Sequence, residues 1–97
     1  MPKGYIIGEI EITNLEKYEN YRSQTPALIA QFGGKFIVRG GEAQLLEGTG
    51  DVKRAVVIEF ESYEQALSFY NSPAYRAVLP HRLENSITPR LICVAGV

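Results

Sequence analysis

The stretch from Val56 to Arg76, VVIEFESYEQALSFYNSPAYR, limits what this chain can fold into more than any other. It packs a strand, a helix start, a one-turn break and a second helix start into about twenty residues. Lys53 to Glu61 alternates as a strand, with Arg54, Val56, Ile58 and Phe60 on one face. Ala55, Val57, Glu59 and Glu61 take the other. Ser62 with Gln65 has capping-box spacing, and Tyr63, Ala66, Leu67 and Tyr70 form the apolar stripe of a short helix. Asn71-Ser72-Pro73 breaks that helix and starts another. Ser72 caps it, and Pro73 takes the first helical position, where its missing N–H costs nothing. Tyr75, Val78 and Leu79 face inward until Pro80, which is expected to disrupt the helix.

The remaining chain supplies the partners. Tyr5 to Ile12 reads as a strand whose even face, Ile6, Gly8, Ile10 and Ile12, is apolar. Thr13 with Glu16 fits a capping box, Asn14 is itself a good N-cap, and apolar residues then recur at helical spacing to Phe32. Pro26 falls inside this pattern, so a kink near Gln24 is expected rather than two helices. Gly33-Gly34 ends the helix. Lys35 to Arg39 is a second strand, interrupted at Gly40-Gly41 and able to resume an extended path over Ala43 to Glu47. Thr88 to Ala95 is the last strand.

The order strand, helix, strand, strand, helix, strand is the split βαβ, ferredoxin-like arrangement. It predicts an α+β fold, one domain over residues 1–97, with a four-stranded antiparallel sheet and both helices on one face. The expected helix-facing set is Ile6, Ile10, Ile12, Phe36, Val38, Val56, Ile58, Phe60, Ile92 and Val94, with no polar side chain among them. The opposite face would carry Tyr5, Ile7, Glu9, Ile37, Arg39, Ala55, Val57, Glu59, Leu91 and Cys93. A solvated face should alternate more cleanly polar, and a face buried within one chain should not hold three charges. The mixture predicts a homodimer through this open sheet face, two sheets enclosing a barrel-like interior.

These residues also resemble a known family, the bacterial domain of unknown function 1330, which is similar to the wider dimeric α/β-barrel superfamily. The marks are Gly4-Tyr5, Tyr18 and Tyr21, Gly33-Gly34-Lys35-Phe36, Val38-Arg39-Gly40-Gly41 and Glu47-Gly48. Ile58-Glu59-Phe60 with Ser62, Ser72-Pro73 with Tyr75-Arg76, and Arg82 complete them. The resemblance implies the ferredoxin-like fold and a dimeric α/β barrel, and it implies no settled activity.

Composition narrows the function classes. A net charge of -1 with interleaved signs leaves no basic patch for a phosphate backbone, and the sheet lacks a row of aromatics, so nucleic acid is not expected as a partner. The lone cysteine, Cys93, permits no internal disulfide, and no apolar run or leader is present, so no membrane contact and a cytoplasmic location are expected. A single histidine, His81, excludes histidine-rich metal sites, and neither metal nor cofactor is expected. The candidate ligand-binding residues are Arg39, Glu59, Glu9, Tyr21 and Tyr18. A guanidinium beside carboxylates shielded from water can anchor a small organic or anionic ligand or exchange a proton, and tyrosines over the pocket mouth can donate to it. The alternative is a non-catalytic assembly or regulatory module whose charges only set dimer register.

Overall fold

The computed structural model describes residues 2–97. Its elements are β1 (Gly4–Ile12), α1 (Leu15–Arg22), α2 (Thr25–Gln31) and β2 (Lys35–Arg39), then β3 (Arg54–Phe60), α3 (Tyr63–Tyr70), α4 (Pro73–Asn85) and β4 (Ser86–Ala95). The strands form one antiparallel sheet in the order β2-β3-β1-β4. Helices cover a single face, where Ile6, Ile10, Val56, Ile58 and Phe60 meet Tyr18, Ile29, Ala66, Phe69, Tyr75, Val78 and Leu79 in a buried core. The ferredoxin-like topology is therefore present, but the barrel is not. β2 and β4 are separate edges of an open sheet, with no strand pairing among the described residues to close it.

Local chemistry accounts for the helix boundaries. Asn14 caps α1 by accepting from the Lys17 N–H at 3.1 Å. Ser62 and Ser72 do the same for α3 and α4 through the N–H groups of Gln65 and Tyr75. Gly33, at φ 73°, turns the chain out of α2, while the Gly34 N–H closes on the Ile29 carbonyl at 2.9 Å. Pro26 does not kink one long helix. It stands in the first turn of α2, and the chain makes two helices with a break at Ser23-Gln24. A proline is cheapest where its N–H has no helical partner, so the second helix starts around it. Pro80 likewise fails to end α4, which continues through it to Asn85. Residues 43–47 form no strand and lie exposed.

Two register effects change which residues share a face. In β2, Phe36 pairs with Ile58 but Val38 pairs with Val57 and Arg39 with Val56, leaving Ile37 as an extra residue. This β-bulge shifts the alternation by one. Val38 consequently moves to the open face, and Arg39 to the helix face. In β4, Leu91 pairs with Gly8 and Cys93 with Ile6, so those two face the helices while Ile92 and Val94 lie on the open side. The expected assignment of β4 was inverted, because a one-residue slip exchanges every side chain between faces. Among the described residues no helix is long and apolar enough to cross a membrane.

Candidate functional site

The register of β2 separates the predicted site residues. Arg39 lies on the helix side, its guanidinium carbon 4.2 Å from the centre of the Phe36 ring and one of its nitrogens 3.4 Å from the Arg22 carbonyl oxygen. Glu9 and Glu59 remain on the open face. Glu9 accepts from the Lys53 N–H at 2.9 Å. Glu59 accepts from the Tyr5 hydroxyl at 3.3 Å and lies 3.8 Å from the Lys35 ammonium. Arg39, Tyr18 and Tyr21 are brought together; the glutamates are not brought to them. Cys93 keeps the filler role that its strand position indicates, and burial pushes its thiol pKa up, away from a nucleophile's range.

Arg39, Tyr18 and Tyr21 line a small chamber between the sheet and helices α1 and α4, with a volume of about 40 Å³. Helical spacing builds its walls. Tyr18, Tyr21 and Arg22 share one face of α1, and Tyr75, Val78, Leu79 and Arg82 share one face of α4. The Tyr21 and Tyr75 hydroxyls lie 2.7 Å apart, and the Tyr18 and Tyr21 rings are tilted with centres 5.4 Å apart. Ile6, Ile10, Ile58 and Phe69 give the chamber an apolar floor.

Arg82 is the most buried charged group in the lining. It is only 3% exposed, donates from one terminal nitrogen to the Thr88 hydroxyl at 2.6 Å, and lies 5.9 Å from the Tyr21 ring centre. Its Nε is buried without a hydrogen-bond partner. No carboxylate is paired with it among the described residues, and none lines the chamber, whereas Arg22, Arg39, Arg54 and Arg82 all do. Among the described residues, Arg22 alone of these four is in an ion pair, with Glu19. Burial works against the Arg82 charge, the Tyr75 and Tyr21 hydroxyls work for it, and the group is held above its ordinary pKa. A guanidinium does not lose its proton in a protein, so this cation is permanent.

The tyrosines are held in the neutral, donating form. Burial, then the neighbouring Tyr75, drives the Tyr21 pKa far above the ordinary tyrosine value, and burial raises that of Tyr18. The sign of the resulting pH dependence follows from linkage. Above pH ~10 the unfolded chain releases tyrosine protons that the folded chain retains, so folding stability falls as pH rises. Urea titrations between pH 8 and 11 should show a slight decline from about pH 8.5, where the Cys93 thiol of the unfolded chain ionises first, and a steeper one above about pH 10. Tyr21→Phe should make that decline shallower by up to about 1.4 kcal/mol per pH unit. An unchanged slope would mean that Tyr21 ionises as freely in the folded chain as in the unfolded one.

Sequence reasoning missed Arg82, Arg54, Tyr70 and Tyr75 as site residues. The signal existed as charge within apolar stripes: Arg54 on the Val56–Ile58–Phe60 face, and Arg82 one turn beyond Leu79 and two beyond Tyr75. A charged residue at such a position is costly unless something meets it.

Comparison with solved structures identifies the same fold. A protein of unknown function from Rhodopseudomonas palustris superposes with a TM-score of 0.75 at 19% identity, over 99% of this chain and 83% of that one. SnoaB, a cofactor-independent oxygenase from Streptomyces nogalater, gives 0.62 at 10% identity, over 100% and 95% of the two chains. A dimeric ferredoxin-like protein of unknown function from Thermobifida fusca gives 0.57 at 17%, over 99% and 92%. At these identities the likeness is one of fold. No curated protein matches the chain. A family model matches residues 3–97, nearly the whole length, and the chain belongs to the family described as a domain of unknown function, DUF1330.

Proposed function

We propose that this protein binds a small organic anion in the chamber between the sheet, α1 and α4. Arg82 is the deep anchor, Arg39 meets the ligand at the mouth, and Tyr18 and Tyr21 form the wall that orients it. The observation carrying this reading is an almost fully buried arginine in the chamber wall that has, among the described residues, no carboxylate partner and one donor left without a hydrogen bond. A desolvated, unpaired charge is expensive, and a bound carboxylate would offset that cost through two charge-assisted hydrogen bonds. Binding rather than turnover fits the lining, which contains no histidine, carboxylate or cysteine to take up a proton.

Acetate and acetamide, matched in size and differing in charge, test it. At tenfold excess over its Kd, acetate should raise the melting temperature by several degrees at constant ionic strength, and acetamide should not. Arg39→Met should reduce the acetate effect. Equal responses to the two compounds would sink the reading.

The open face supports a second element, a homodimer in which that face meets a second copy. Ile7, Ile37, Val38, Ile92 and Val94 are exposed there, and an apolar patch rimmed by polar residues is characteristic of an interaction surface. Charges of both signs border it, with Lys35 beside Glu59 and Lys53 beside Glu11, which suits contact with an identical surface. The Thermobifida fusca protein of the same fold is described as dimeric. Glu9 and Glu59 then serve this interface and not the ligand. Sedimentation equilibrium should return a dimer for the parent chain and a monomer for Ile7→Lys, whose charge would face its own copy across the sheet. A monomeric parent at tens of micromolar would refute this element alone.

A further inference from the structure

The chamber is too small for most organic anions. Its 40 Å³ admits a carboxylate-sized group, since a single ordered water needs roughly 10–15 Å³ by the same measure. A second cavity of about 220 Å³ runs between α3 and β4 beside it. Ile6, Leu67, Tyr70, Leu91, Ile92 and Cys93 line this groove, and none of the six is charged. Ile6, Tyr70 and Leu91 line both cavities, so the two adjoin at these side chains. Leu91 lies close against β1 because Gly8 has no Cβ, which would otherwise come within 2.6 Å of the leucine Cδ1.

Resting on the anion-site reading above, we infer that the natural ligand is amphiphilic: a carboxylate head in the arginine–tyrosine chamber and a hydrocarbon body in the groove between α3 and β4. The two halves of the cavity assign the two halves of the molecule. A head in the groove would find no cation, and a hydrocarbon body does not fit the chamber. The groove exceeds the cavity of about 150 Å³ that accepts a benzene ring in an engineered protein interior, so it holds a chain or ring of useful size. Leu91 and Tyr70 act as the sill over which the ligand bends from one compartment into the other.

The wild-type protein tests this by calorimetric titration with acetate, butyrate, hexanoate and octanoate, alongside 1-octanol. Affinity should climb from butyrate to octanoate by about fourfold for each methylene buried, with octanol far weaker than octanoate. Leu67→Trp, which fills the groove, should bring octanoate down to the affinity of acetate. Amide shifts at Leu67, Ile92 and Cys93, which line the groove and not the chamber, should move with octanoate and stay still with acetate. Acetate binding with no dependence on chain length would overturn the inference while leaving the anion site intact. No binding by any carboxylate would overturn both. Octanol binding as tightly as octanoate would overturn the assignment of the head to the arginines.

Discussion

Arg82→Met is expected to lose acetate affinity on the order of a hundredfold while folding at least as stably as the parent chain. The two effects arise from one cause. Among the described residues, Arg82 is buried with only neutral hydroxyls for company, donating to that of Thr88 and favoured by those of Tyr75 and Tyr21, and its Nε is unused. Its desolvation therefore weighs on the unliganded fold without an ion pair to offset it. Methionine matches much of its length and packs against Tyr21 and Tyr75 without that penalty, so chemical denaturation should show no loss or a gain of about 1 kcal/mol. The competing possibility is that Arg82 exists to hold the start of β4 through Thr88. In that case the variant would lose about 1–3 kcal/mol, the cost of leaving a buried hydroxyl without its partner. Stability and binding measured on the same protein decide between these outcomes.

Gly4→Ala should be the most damaging small substitution in the molecule. A Cβ on Gly4 would sit 2.2 Å from the Ser62 carbonyl oxygen and 2.6 Å from the Tyr63 Cα. Both are backbone atoms at the start of α3, where Ser62 caps the helix, so no side-chain rotation relieves the contact. β1 and the N-terminus of α3 must separate, and because Gly4 also pairs with Phe60 and Ala95 the strain enters the centre of the sheet. Overpacking of this kind costs about 3 kcal/mol. For a domain of this size that corresponds to a fall in melting temperature of roughly 15 °C. Gly41→Ala is the matched control, since nothing lies within 4 Å of its added Cβ, and it should change stability by less than about 0.5 kcal/mol. Comparable losses in the two variants would show that the β1–α3 approach is not the source.

What could be seen in the chain was what is encoded locally. Ser62, Ser72-Pro73 and Gly33-Gly34 state their roles within three or four residues, and the structure uses all of them as helix starts and stops. The even face of β1 and that of β3 are also readable, because their partners on the other side are acidic. β4 offered no such contrast. Leu91 and Cys93 are as apolar as Ile92 and Val94, so only pairing with β1, a non-local property, could assign its faces. The same holds for the bulge at Ile37, which depends on β3 and moved Arg39 away from Glu9 and Glu59. Arg82 was hidden for a different reason. Ending the helix at Pro80 removed it from the stripe of Tyr75, Val78 and Leu79, to which it belongs once α4 runs on to Asn85.

The extra residue in β2 has a consequence for descent within the family. A relative one residue shorter between Phe36 and Arg39 would lose the bulge and still set its arginine opposite Val56, on the chamber side. A relative of equal length whose strand pairs without the bulge would send the arginine to the opposite surface instead. The amino acid would be conserved in an ungapped alignment and its surroundings exchanged, an aqueous or intersubunit setting in place of the chamber. Strand pairing, not alignment, is therefore what decides which molecules the arginine can meet.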